Sequence, residues 1–167
     1  DRPIAPPTRG GRLTATLRSD PRSFNRLVSG GTVTELYSLL AQGKLVRINR
    51  ATQELEPWLA EKWEASADGR AFTLTLREGL QWSDGTPLVA QDFVNGIIRT
   101  LDPDTASEKG YYFTTVILVH NAAAFNAKEI TDPSQVGVAA PDDRTVVITL
   151  DEPAPHTLFV LNSFQTS

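Results

Sequence analysis

The sequence predicts an α+β fold, a mostly antiparallel sheet with helices packed on it. Three stretches carry that expectation. Phe72, Leu74 and Leu76 alternate with Thr73, Thr75 and Arg77, the period-two pattern of a half-buried strand. Residues 136–140 (VGVAA) and 145–150 (TVVITL) flank Pro141-Asp142-Asp143-Arg144, which reads as a hairpin. Between these strands Phe93, Val94, Ile97, Ile98 and Leu101 recur as a two-wide apolar stripe, one buried face of a helix.

The remaining elements follow in chain order. Residues 1–11 (DRPIAPPTRGG) are rich in Pro and Gly and read as a disordered tether. Residues 12–18 (RLTATLR) alternate, with Leu13, Ala15 and Leu17 on one side, and read as a strand that Asp20-Pro21 ends. Ser29-Gly30-Gly31-Thr32 precedes a helix over residues 34–41, with Leu36, Leu39 and Leu40 on one face. Thr34 or Thr32 can cap that helix, and Gly43 stands where helices commonly close. Residues 45–48 form a short strand and 49–53 a turn. The spacing of Leu59 and Trp63 predicts a helical turn over 58–63.

Asp84-Gly85 is a tight corner, because Gly takes positive φ freely and Asp bonds its own backbone. Asp92 then lies early in the central helix, where a carboxylate suits the positive end of the dipole. Residues 110–127 have β-branched strand composition at 114–119. Phe113, Val116, Ile117, His120, Ala124 and Phe125 also fit a helix face, and helix is the expectation. Pro153 and Pro155 precede a short helix over 157–162.

Composition limits the function classes. With 167 residues the chain has room for one domain, or one plus part of another. A net charge of −4 with no Lys/Arg cluster offers no footprint for nucleic acid. No apolar run approaches the roughly 20 residues of a membrane-spanning helix. Without Cys there is no disulfide, thiolate nucleophile or Cys-ligated metal. Without Met, Asp1 is not expected to be a translation start, and the chain is expected to be processed or cut from something longer.

Catalysis finds little support. His120 and His156 have no Asp or Glu at helical metal-ligand spacing beside them, so neither a metal nor a cofactor is expected. Asp84 and Asp92 could be pictured as an acid–base pair, but turn and helix-start roles explain both. No Ser lies in a nucleophile elbow, and Gly10-Gly11 and Gly30-Gly31 lack the Lys and Ser/Thr of a phosphate loop. Trp58, Trp63 and Trp82 are expected in the core, each with a satisfied N–H. A double Gly between strand and helix, as at Gly30-Gly31, commonly marks close backbone approach to something; a plain loop is the other reading.

Residues 76–93 (LREGLQWSDGTPLVAQDF) resemble the signature of the extracytoplasmic solute-binding proteins of peptide and nickel ABC importers. The resemblance continues through Pro57-Trp58-Leu59-Ala60-Glu61-Lys62-Trp63, Asp102-Pro103, Thr105-Ala106-Ser107 and residues 149–155 (TLDEPAP). It covers most of the chain from about Arg12. Val89 departs from it, since the family often has a capping Ser or Thr there, and the helix start should be weaker by about 1 kcal/mol.

The resemblance implies an N-terminal fragment of a two-lobed periplasmic binding protein. Residues 12–44 would hold the first strand and helix of an incomplete main lobe, and 45–167 an inserted satellite subdomain. It implies ligand contacts from main-chain groups at Ser29, Gly30, Gly31 and Thr32, and from Tyr111 and Tyr112, which lie where members approach the cleft. In the simplest register Lys109, rather than either Tyr, falls opposite a ligand-contacting Tyr. The implied function is capture of oligopeptides or similar small solutes for an ABC permease, by lobe closure and without covalent chemistry. The implied place is the periplasm or the outer face of the cytoplasmic membrane, with membrane contact only through a lipid anchor outside this chain. An interaction module of the same fold without a ligand is the alternative, and a periplasmic hydrolase a third class.

Overall fold

The computed structural model describes residues 10, 14, 16, 19–21, 23–29 and 31–163. The expected tether, the strand at Leu13, Ala15 and Leu17, and Gly30 therefore lie outside the described residues. Helix α1 spans Thr32–Ala41. Strands β1 (Val46–Ile48) and β2 (Leu55–Pro57) form an antiparallel pair. Strands β3 (Ala60–Ala65), β4 (Ala71–Leu76), β5 (Val138–Asp142) and β6 (Thr145–Thr149) form a second sheet in the order β3-β4-β6-β5, all antiparallel.

Helix α2 (Ala90–Leu101) packs on this sheet. It is followed by a π-helical turn at Tyr112–Val116, a short α3 (Ala122–Asn126) and α4 (Thr157–Ser163). The α+β architecture with an antiparallel sheet is the one the alternation predicts.

The register explains the core. Phe72 pairs with Ile148 and Leu74 with Val146, so the inward residues of β4 and β6 share one face. Phe93, Ile97 and Leu101 of α2 meet that face, and none of these seven side chains is more than 4% exposed. Leu45, Val46, Leu158 and Leu161 belong to the same cluster, which among the described residues begins at Leu45. Leu27 is buried apart from it.

The corner between β4 and α2 forms as expected. Gly85 has φ 87°, and Asp84 Oδ1 accepts from the Thr86 N–H at 2.9 Å and its hydroxyl at 2.7 Å. Those bonds hold the Asp84 carboxyl below the usual carboxylate range. Val89 is the N-cap of α2 and offers no side-chain acceptor, but Asp92 Oδ2 accepts the Val89 N–H at 2.9 Å. Half of a capping box thus remains, and it offsets part of the weakness expected from Val89.

Several local expectations are corrected. Residues 60–65 are strand rather than helical turn: β3 runs along the open edge of β4, with Trp63 opposite Leu74. Ladder bonds to a preformed strand outweigh the helical spacing of a stretch too short to nucleate a helix alone. Helix α1 starts at Thr32 with Gly31 as N-cap and no side-chain cap, and it ends in the extended Gln42. Thr34 instead donates its hydroxyl to Ser23 O at 3.2 Å. A Cβ on Gly43 would stand 2.5 Å from Leu59 Cδ1, so close packing is what suits Gly there.

Among the tryptophans, only Trp63 packs against the core cluster. Trp58 is 42% exposed under the Arg47 guanidinium, 4.4 Å from the ring centre. Trp82 is 36% exposed and donates Nε1–H to Asp92 Oδ2 at 3.3 Å. The segment 110–127 is helical in two short pieces, broken by positive φ at Leu118 and Asn121. The hairpin turn is tighter than expected, because Asp142 still pairs with Thr145.

Candidate functional site

Residues 23–29 form a self-bonded turn ahead of α1. Ser23 Oγ accepts the Asn25 N–H and Asn25 Oδ1 the Leu27 N–H, each at 3.0 Å. Ser29 donates its N–H to Asn25 O at 3.1 Å. Gly31 then takes φ 129°, a conformation an L side chain rarely adopts. Gly31 and Thr32 are exposed and Ser29 is half-buried. Phe24 packs at a tilt against Tyr37, with ring centres 4.6 Å apart, tying the turn to α1.

Tyr111 and Tyr112 open the π-helical turn, exposed and edge-to-face at 6.0 Å. The turn is anchored from behind by Phe113, which is fully buried. Lys109 precedes it, half-buried, with its N–H bonded to Ser107 Oγ at 3.3 Å.

Arg26 stands in the turn ahead of α1. Its side chain is only 14% exposed, and its Nη2 stands 3.8 Å from Glu35 Oε1. Its Nε and Nη1 are buried without a hydrogen-bond partner among the described residues. Burial lowers its basicity, opposed by Glu35 and Tyr112. Burial, with Arg26 close by, pulls the Lys109 ammonium down to about 8. Lys44 is lowered by the same causes, burial first and then Arg26 and Arg50. Glu35 opposes the lowering at all three cations.

Of the expected contacts, Ser29, Gly31 and Thr32 lie on the turn and at the start of α1, and Tyr111 and Tyr112 on the π-helical turn, two separate strips of the chain. Sequence reasoning passed over Arg26 altogether. Its neighbours Lys44 and Lys109 come from distant parts of the chain, so no local spacing announced the cluster.

Two other places hold polar clusters. A hollow of about 560 Å³ lies between the end of α1 and the β1–β2 pair, lined by Lys44, Arg47, Glu56, Trp58 and Asn162 among others. Its central charges are already matched, since Glu56 takes Arg47 Nε at 2.8 Å and Asn49 Nδ2 at 2.6 Å. His120 Nδ1 meets Asp151 Oδ1 at 2.7 Å on the surface, a pairing that sequence spacing did not reveal. His156 Nε2 meets Val116 O at 2.9 Å. Among the described residues no cluster of three metal-ligating side chains occurs, and no helix is long and apolar enough to cross a membrane.

The chain belongs to the bacterial extracellular solute-binding proteins, family 5, whose middle region matches residues 54–167. It is 45% identical over 138 residues to the Escherichia coli protein YgiS, described as a probable deoxycholate-binding periplasmic protein, covering 82% of this chain and 25% of that one.

The structure of the Escherichia coli murein tripeptide binding protein MppA superposes with a TM-score of 0.79 at 33% identity, over 87% of this chain and 28% of that one. Haemophilus influenzae OppA in complex with the peptide RPPGFSPFR superposes with a TM-score of 0.78 at 29% identity, over 86% of this chain and 28% of that one. The chain spans about a quarter of the length of the curated relatives it matches.

Proposed function

We propose that this chain is part of the substrate-binding component of an ABC importer, capturing oligopeptides or similar small solutes outside the cytoplasmic membrane. The observation that carries the reading is the exposed pair Tyr111 and Tyr112, edge-to-face on a turn anchored by the buried Phe113. Membership of a solute-binding family supports it. In this reading residues 12–44 begin a main lobe and 45–167 form a satellite subdomain. The core cluster that begins at Leu45 supports that division.

Peptide would be held through its main chain, with the tyrosines against its side chains. Closure of a second lobe would complete the cleft, and delivery to permease subunits would follow, with no covalent step. The relatives differ in solute, since peptides appear in the names of OppA and MppA and deoxycholate in that of YgiS. Calorimetric titration of the complete polypeptide against a mixed di- to pentapeptide pool, and separately against deoxycholate, tests the reading. Saturable binding of either near micromolar, weakened by Tyr112→Ala, is the expected result. Absence of binding to both would favour an interaction module of the same fold.

A further inference from the structure

We infer that His156 is a positioning residue for the captured solute, because its imidazole holds the end of the turn that presents Tyr111 and Tyr112. The inference rests on the solute-binding reading above and names what fixes that same site. Its starting point is a turn that does not form easily. Tyr112–Val116 is π-helical, a geometry that is rare and recurs at functional sites. Thr114, Thr115 and Val116 are β-branched and lose rotamer freedom in any helix. Leu118 then takes φ 51°, which a leucine keeps only where its surroundings enforce it.

The backbone does not complete the turn by itself. The Ile117 N–H donates to Tyr112 O at 3.0 Å and the Val119 N–H to Phe113 O at 2.8 Å. Past Leu118 the chain is turned away, and the His120 N–H goes to Thr149 O at 2.9 Å. Val116 O, on a half-buried residue, is instead met by His156 Nε2 at 2.9 Å, from 40 residues further on. A carbonyl only accepts, so the ring donates there, as the Nε2–H tautomer or as the imidazolium.

The donor has a rigid base. His156 O accepts the N–H groups of Phe159 at 3.0 Å and Val160 at 3.2 Å, which fixes the residue at the start of α4. Leu158 and Leu161 of α4 belong to the core cluster, and the Thr157 hydroxyl donates to Ala154 O at 2.7 Å. The tyrosines are therefore aimed from two sides, by the buried Phe113 and Ile117 beneath them and by His156 at the end of the turn. His156 itself is exposed, so replacing it leaves the core intact.

Native, His156→Ala and His156→Gln forms of the complete polypeptide test this, since the Gln amide N–H can stand where Nε2–H stood. Hydrogen exchange without solute is followed at the Ile117 amide, which closes the turn. It should quicken by about three- to tenfold in His156→Ala, the scale of one neutral hydrogen bond, and return to the native pace in His156→Gln. In titrations with the di- to pentapeptide pool, and separately with deoxycholate, affinity for whichever solute binds should fall by a similar factor in His156→Ala and recover in His156→Gln.

If His156→Ala fails to fold, His156→Phe keeps a ring without the donor and takes its place. Exchange at Ile117 that is unchanged without the donor, or equally fast in His156→Gln, overturns the hold on the turn. Faster exchange with undiminished affinity overturns the positioning role. If the native protein binds neither solute, the solute-binding reading falls and the positioning role with it; the exchange result, read without solute, tells that failure from a failure of the hold.

Discussion

At the residue scale the sharpest constraint is Gly137. Its N–H donates to His120 O at 2.8 Å and its carbonyl accepts from Thr149 N at 2.7 Å. A Cβ there would stand 2.5 Å from Thr149 O and 2.7 Å from His120 Cβ, closer than such contacts allow. Gly137→Ala should cost about 1–3 kcal/mol, the range of overpacked sites. Urea melts showing a loss under about 0.5 kcal/mol would contradict that packing. Gly85 was legible because Asp-Gly is a local turn signal, whereas Gly137 was not, since its neighbours arrive from His120 and Thr149.

Lys109 gives a pH dependence of definite sign. Its folded pKa of about 8 lies below the ordinary 10.5, so between those values the unfolded chain holds a proton that the folded chain has lost. Stability attributable to this group therefore rises with pH across that window. The penalty is fully present below about pH 8. Lys109→Gln should be more stable than the native chain near pH 7, and the gap should narrow by about pH 10. A gap constant over that range, measured in urea, would show that Lys109 is not crowded by Arg26.

At the scale of elements, α2 across β6 and β5 is the organising contact. Ile97 is fully buried against Leu74, Val146 and Ile148 in one cluster. Ile97→Ala should destabilise by about 2–5 kcal/mol, and urea melts showing a loss under about 0.5 kcal/mol would displace α2 from its central role. Strong periodicity over a long stretch made α2, β4 and β6 readable. Residues 60–65 were misread because a six-residue segment carries too little pattern to outweigh the open edge of β4. The turn at Tyr112–Val116 was blurred by its β-branched Thr114, Thr115 and Val116, which packing forces into helix. The mutual effect of Arg26, Lys44 and Lys109 was illegible because the three lie on separate parts of the chain.

At the scale of the whole molecule, α1 turns its apolar residues outward. Leu36, Leu39 and Leu40 are 44%, 46% and 87% exposed, while Thr34 and Ser38 are buried. Under the proposed division into a main lobe and a satellite subdomain, leucines in water are the expected state of a helix that belongs to the main lobe. The proposed site is one-sided, because Ser29, Gly31, Thr32, Tyr111 and Tyr112 can line one wall of a cleft and tight pockets enclose most of a ligand's surface.

Contacts left open to water contribute little, yet the peptide still loses its freedom of motion. Calorimetry of the 167-residue chain and of the complete polypeptide against the same peptide pool tests this most directly. The account predicts millimolar or weaker binding by the chain alone and about micromolar binding by the complete protein, a gap of roughly 4 kcal/mol. Equal, saturable micromolar binding by both would contradict it, for the site would then lie wholly within these residues.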